Sequence, residues 1–176
     1  SIAHSPVQIT RLICYQVGAL AALCTLHGVQ LAYVKPHGAL YNDMMVDITI
    51  FSAIIDALAS FKRPLALMIL ARPDLQEYQR VAANANISLL YEAFADRAYD
   101  HLGYLLPRSA EGAVLSDPVS MKQQVKQLID EQSITASNGD KIKLQVDTIC
   151  VHGDNPAAID LIKTLQQLVV DTRINK

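Results

Sequence analysis

Apolar positions along this chain follow two alternating patterns. Leu12, Ile13, Val17, Leu20, Ala21 and Leu23 recur at helical spacing, which predicts a helix running to about His27. Ser5-Pro6 supplies its N-cap and first helical residue, and Gly28 its stop. Leu31 to Lys35 (LAYVK) then reads as a short, mostly apolar strand. The cycle repeats. A helix from Asp47 to Phe61 ends at Lys62-Arg63-Pro64, and Leu65 to Leu70 (LALMIL) is an unbroken apolar run of strand length. Pro73-Asp74 opens a helix to about Asn84, and Ser88 to Phe94 (SLLYEAF) is the next strand. A helix over Pro118 to Glu131 follows Ser116-Asp117, and Thr148 to His152 (TICVH) is a further strand. Asn155-Pro156 starts a last helix reaching about Asp171.

Strands without polar alternation, separated by helices, predict an α/β fold whose parallel sheet is covered by helices through right-handed crossovers. Ala95 to Asp117 is a long connection holding Gly103, Pro107 and Gly112, and loops of that length are usually functional. Ser137-Asn138-Gly139-Asp140 is a hairpin signal, so Ile134 to Val146 is expected to be a small antiparallel insertion. One domain is expected over residues 1–176. Because the predicted strands are too few to close a barrel, the chain reads as an open sheet or as part of a larger α/β barrel.

Composition narrows the classes. Hydrophobic residues make up 51% and charged residues 18%, enough apolar material for a core and too little charge for disorder. With 15 basic and 17 acidic residues, no basic block, three Phe and no Trp, nothing supports nucleic-acid binding. Cys14, Cys24 and Cys150 sit in apolar runs and are expected to be buried free thiols in a reducing compartment. No stretch is expected to reach the roughly 18 apolar residues of a membrane span. The start, SIAHSPVQIT, lacks the pattern of a signal peptide and an initiator Met, so a processed or partial chain is expected, cytoplasmic in location.

In parallel α/β folds ligands bind at the carboxyl ends of strands. The first predicted strand delivers Lys35, Pro36-His37-Gly38 and Tyr41-Asn42 there. The third delivers Glu92, then Asp96-Arg97, and the fourth His152-Gly153-Asp154; the second gives only Ala71 and Arg72. Lys35, at the end of a buried strand, suits a proton carrier or an electrostatic clamp, or else snorkels to solvent. His37 is an acid/base or metal-ligand candidate, or a structural loop histidine. Glu92 in an apolar strand needs a partner, for which Lys35 and Arg97 are candidates, and it reads equally as a general base or half of an ion pair. Asp154 divides between chemistry and capping the last helix. Arg97 and Arg108 could clamp a carboxylate. No G-x-x-x-x-G-K-[ST] or G-x-G-x-x-G is present.

VKPHGALYN (34–42), EAFADRAY (92–99), LPRS with GAVL (106–109, 112–115) and ICVHGD (149–154) together resemble the LamB/YcsF family, whose members form one component of bacterial ATP-dependent 5-oxoprolinase. The resemblance runs from about Tyr15 to the last helix. It implies a seven-stranded β/α barrel related to glycoside hydrolase and deacetylase folds. It also implies opening of the lactam of 5-oxo-L-proline to L-glutamate with ATP hydrolysed, in company with subunits B and C. It carries Lys35, His37, Asn42, Glu92, Asp96, Arg97, Arg108, His152 and Asp154 over as site residues without assigning their roles. Of the strand-end groups, Lys35, His37, Glu92, Asp96, His152 and Asp154 are expected to be catalytic, and Tyr41, Asn42, Arg97 and Arg108 to bind substrate. A divalent metal is a further candidate, with no ligand set implied. Family members begin with D-L-N-x-D-L-G-E, N-I-A-C-G-F-H-A-G-D and H-P-x-[FY]-P-D segments that are absent here. The chain is therefore expected to lack about three strand-helix units, and, with an apolar barrel edge exposed, to self-associate or be poorly stable. Two other readings are a metal-dependent hydrolase of carbohydrate amides and a non-catalytic small-molecule-binding subunit.

Overall fold

A computed structural model of the chain describes residues 4–153 and 162–170. Two compact units share the chain: one takes Ser1–Ile69 with Leu75–Leu90, the other Leu70–Asp74 with Tyr91–Lys176. The hydrogen-bonded order of the parallel strands is β1 (Tyr33–Val34), β2 (Ala66–Leu70), β3 (Leu89–Phe94) and β6 (Thr148–Cys150), so β2 and β3 contribute to both units.

In the first unit, α1 (Pro6–Leu26) begins where the sequence places it. The Ser5 hydroxyl accepts from the Gln8 N–H, and the Gln8 side chain accepts in return from the Ser5 N–H, a reciprocal capping box. β1 leads into a short helix, α2 (Ala39–Asp43), which the sequence pattern does not predict. One stripe of α1, Ile9, Ile13, Val17 and Ala21, is buried, and the helix packs on α3 (Ile48–Ala59). The Thr10 hydroxyl donates to the Ala53 carbonyl across that contact at 2.9 Å. Asp47 caps α3 by accepting from the Thr49 N–H, and this bond holds its carboxyl below the ordinary range. α3 also packs on α4 (Gln76–Asn84), with Phe51 meeting Tyr78 edge to face. α4 begins later than Pro73-Asp74 suggests and has no side-chain cap. β1 and β2 pair in register, Tyr33 with Ala66 and Val34 with Leu67, and the Leu67 N–H donates to the Ser88 carbonyl.

In the second unit, β3 pairs with β6: Glu92 with Thr148, Ala93 with Ile149 and Phe94 with Cys150. α5 (Pro118–Glu131) starts at its expected residue, because Asp117 accepts from the Val119 and Ser120 N–H groups. The Ser120 hydroxyl, and then these N–H bonds, lower the Asp117 pKa. Ala95, Val125 and Leu165 form a buried cluster flanked by Ile129, Ile149, Val151 and Leu168. β4 (Ser133–Thr135) and β5 (Lys141–Lys143) form the expected antiparallel hairpin, with Ile134 opposite Ile142. Residues 162–170 are helical, while the expected start of the last helix lies outside the described residues.

Three expectations change. β1 is two residues long, has one hydrogen-bonded neighbour among the described strands, and leaves Tyr33 half exposed, so Lys35 does not end a buried strand. All three cysteines are free but only partly buried. Finally, α1 is 21 residues long and apolar enough to cross a membrane by length and composition. Arg11 is its only charged residue, and its buried stripe is taken up by α3.

Candidate active site

The register of β3 with β6 builds the central feature of the second unit. Phe94 lies opposite Cys150, so two residues further on Asp96 and His152 emerge beside each other from the strand ends. The Asp96 carboxylate, 1% exposed, accepts from the His152 backbone N–H at 3.3 Å and meets the ring Nδ1 at 2.9 Å. A carboxylate accepts, so this contact suits a ring proton on Nδ1, and in the neutral ring that tautomer leaves the Nε2 lone pair available. The imidazole stacks on Phe94, with ring centroids 5.3 Å apart and planes 16° from parallel. Its position is thus set by one buried carboxylate and one aromatic face, with a quarter of the side chain still exposed. Such an arrangement can take a proton from water or return one to a leaving group.

The chain leaving β3 is held from several sides. The Tyr99 hydroxyl, fully buried, accepts from the Phe94 N–H at 2.7 Å. Burial raises the Tyr99 pKa above its ordinary value, and the Glu92 carboxylate adds to that, against the opposing bond from Phe94. The side-chain amide of Gln124, on α5, donates to the carbonyls of Phe94, Ala95 and Arg97. Glu92 is 3% exposed, and its carbonyl accepts from the Ala71 N–H. Arg97 is 6% exposed; its guanidinium donates to the Ala113 carbonyl at 3.2 Å and to the Leu106 carbonyl. Antiparallel bridges of Arg97 with Val114 and of Tyr99 with Leu105 pin the long connection. Arg108 is exposed on this connection. The Arg72 guanidinium lies 4.3 Å from the Tyr104 ring centroid. Gly103 packs so closely that a Cβ there would come within 3.0 Å of Pro73 Cδ. Asp154 lies outside the described residues. Among the described residues no group of three or more His, Cys, Asp or Glu side chains could hold a metal.

Lys35, His37, Tyr41 and Asn42 belong to the first unit. The Lys35 ammonium lies 5.8 Å from the centroid of the buried Tyr41 ring, while His37 and Asn42 are exposed. Lys35, His37 and Asp43 line a cavity of about 810 Å³ whose walls include Leu12, Leu20 and Tyr33. Tyr41 and Asn42 are carried by α2. Gly38 starts that helix at φ 63°, ψ −137°, a backbone conformation that side-chain-bearing residues rarely adopt, although a Cβ there would meet no atom. Gly38→Ala should therefore cost about 1–3 kcal/mol through backbone strain alone. Equilibrium urea unfolding checks this, and a loss below roughly 0.5 kcal/mol would mean that the loop relaxes freely.

Three contributors to the site, Gln124, Tyr99 and the ring of Phe94, are not marked by sequence reasoning. Tyr99 and Phe94 lie inside the 92–99 segment and could have been found there; Gln124 carries no local signal.

The fold and site define a parallel β/α protein with a buried aspartate–histidine pair at its strand ends. The model of the LamB/YcsF family matches residues 1–176, and the chain belongs to that family. It is 48% identical over 169 residues to the 5-oxoprolinase A subunit of Vibrio vulnificus YJ016, covering 96% of this chain and 68% of that one. It is 46% identical over 167 residues to the 5-oxoprolinase A subunit of Vibrio parahaemolyticus, covering 95% and 66%. The crystal structure of a lactam utilization protein from Thermus thermophilus superposes with a TM-score of 0.83 at 30% identity. That match covers 95% of this chain and 66% of the other. The α/β barrel-type fold expected from sequence is therefore the fold of the family, and the chain spans about two thirds of these relatives' length.

Proposed function

We propose that this chain is the A component of an ATP-dependent 5-oxoprolinase, working in the cytoplasm with subunits B and C. The reaction consumes 5-oxo-L-proline, ATP and two waters, and yields L-glutamate, ADP and phosphate. The observation that carries the reading to chemistry is the bond between buried Asp96 and His152 Nδ1. A five-membered lactam is an unactivated amide, and ATP supplies the phosphoryl group that makes its C5 electrophilic. His152 Nε2 accepts the proton of the attacking water, the protonated ring returns it to the nitrogen as the C5–N bond breaks, and the second water hydrolyses the acyl phosphate left at C5 to release phosphate. Asp96 holds the ring in the required tautomer and stabilises the imidazolium that forms. This geometry favours His152 as the base over His37, which is exposed, and over Glu92, which is sealed in its strand. Arg108, exposed on the long connection of the same unit, is the candidate for holding the substrate carboxylate. Arg97, engaged with loop carbonyls, shapes the connection instead.

The test is to combine the chain with subunits B and C and follow glutamate and ADP formation from 5-oxo-L-proline and ATP. Coupled, substrate-dependent release of both is expected. ADP release that ignores 5-oxo-L-proline, or no turnover where the V. vulnificus counterpart turns over, would overturn the reading.

A further inference from the structure

At the end of β3 the chain leaves the sheet while still buried: Phe94, Ala95, Asp96 and Arg97 are all inaccessible or nearly so. Buried carbonyls need donors, and the sheet stops supplying them here. The last ladder contact is the Ala95 N–H to the Cys150 carbonyl at 2.9 Å. Each of the four carbonyls of this segment nevertheless has a donor. The Leu115 N–H serves Asp96 at 2.9 Å. The Gln124 amide serves Phe94 at 2.7 Å, Arg97 at 2.9 Å and Ala95 at 3.3 Å. One NH₂ group has two N–H bonds, so it covers three carbonyls only by sharing a proton, and the longest contact, to Ala95, is the shared one.

These carbonyls bracket Asp96. Whatever holds residues 94, 95 and 97 sets the direction of the intervening side chain, and the single side chain of Gln124 reaches all three. We infer that Gln124 is a positioning residue for the Asp96–His152 pair. From α5 it fixes the path of the chain leaving β3, and so aims the Asp96 carboxylate at His152 Nδ1. An apolar residue of equal size would leave three buried carbonyls without this donor, and the segment would shift to find others. A shift of about 1 Å is enough to cost an oriented acid–base group its geometry. The catalytic consequence rests on the function proposed above; the positioning itself does not.

The test separates the two. Gln124→Met keeps the length of the side chain and removes its donors, and Gln123→Met, at the exposed neighbouring position, is the control. Nitrogen NMR of the histidine rings in the chain reads the His152 tautomer without substrate. The parent chain and Gln123→Met should show a single Nδ1-protonated form, and Gln124→Met a mixture. In the complex with subunits B and C, Gln124→Met should lower kcat by roughly tenfold to a hundredfold with KM little changed. An altered tautomer with full turnover would support the positioning and remove the pair from catalysis. An unaltered His152 ring in folded Gln124→Met would overturn the inference. Should that variant not fold, Gln124→Glu keeps the size and length of the side chain and replaces its NH₂ donors with an acceptor, and an unaltered ring there would overturn it equally.

Discussion

Replacing Asp96 by Asn is expected to lower turnover in the assembled complex by about 10³- to 10⁴-fold, a magnitude typical of losing the carboxylate that orients a catalytic histidine. The reason lies in counting donors. Asp96 offers two oxygens, and two N–H donors of the same residue approach them: the His152 backbone N–H and ring Nδ1–H. Asn has one oxygen and one NH₂. If its NH₂ faces Nδ1, the ring must accept there and carry its proton on Nε2, which removes the base. If its NH₂ faces the backbone, two donors oppose each other in a buried site and the strand end is pushed apart. Neither orientation preserves the present arrangement. Asn nearly matches Asp in shape, so the variant should still fold, as far-ultraviolet circular dichroism would report. Turnover within about threefold of the parent would mean that His152 works without this carboxylate, or not at all.

The strand-end clusters are legible in the sequence because parallel α/β folds concentrate polar groups there, and Asp96 and His152 stand out at the ends of apolar runs. Their pairing is not legible. It depends on Phe94 lying opposite Cys150, and strands more than fifty residues apart in sequence carry no local mark of register. Helices with strong end signals can be read to the residue or nearly so: Ser5-Pro6 for α1 and Asp117-Pro118 for α5. α2 escapes because five residues are too few to show helical periodicity, and its start is set by Gly38 rather than by an amphipathic pattern. Gln124 is invisible for another reason. It stands among Gln123 and Gln127 on a polar helix, and only its distant acceptors distinguish it. Arg97 reads as a ligand clamp from its place in a loop, and its bonds to the loop carbonyls of Leu106 and Ala113 are not marked in the sequence. For the Asp96–His152 pair and for Gln124, the missing information is a partner far away in the chain.

The largest expected loss of stability comes from Phe51→Ala, at about 3–5 kcal/mol. Phe51 is fully buried on the face of α3 that also carries Ile54, Ile55 and Leu58, all 0 to 1% exposed. Its ring meets Tyr78 of α4 with centroids 4.8 Å apart and planes at 74°, an edge-to-face contact. Truncation to Ala removes the transfer free energy of the ring and leaves a void that packed helices close only in part. A domain of this size is stable by roughly 5–15 kcal/mol, so the loss takes a large share of the total. Urea unfolding should show a lower midpoint at unchanged slope, and amide exchange in α3 and α4 should quicken with it. The aromatic contact can be separated from simple burial by a double-mutant cycle of Phe51→Leu and Tyr78→Leu, where a coupling of about 0.5–1.5 kcal/mol is expected. Additive losses would show that the two rings contribute area and no specific geometry. A cost below about 1 kcal/mol for Phe51→Ala would mean that α1 and α4 close over the vacated space, contrary to a tightly packed first unit.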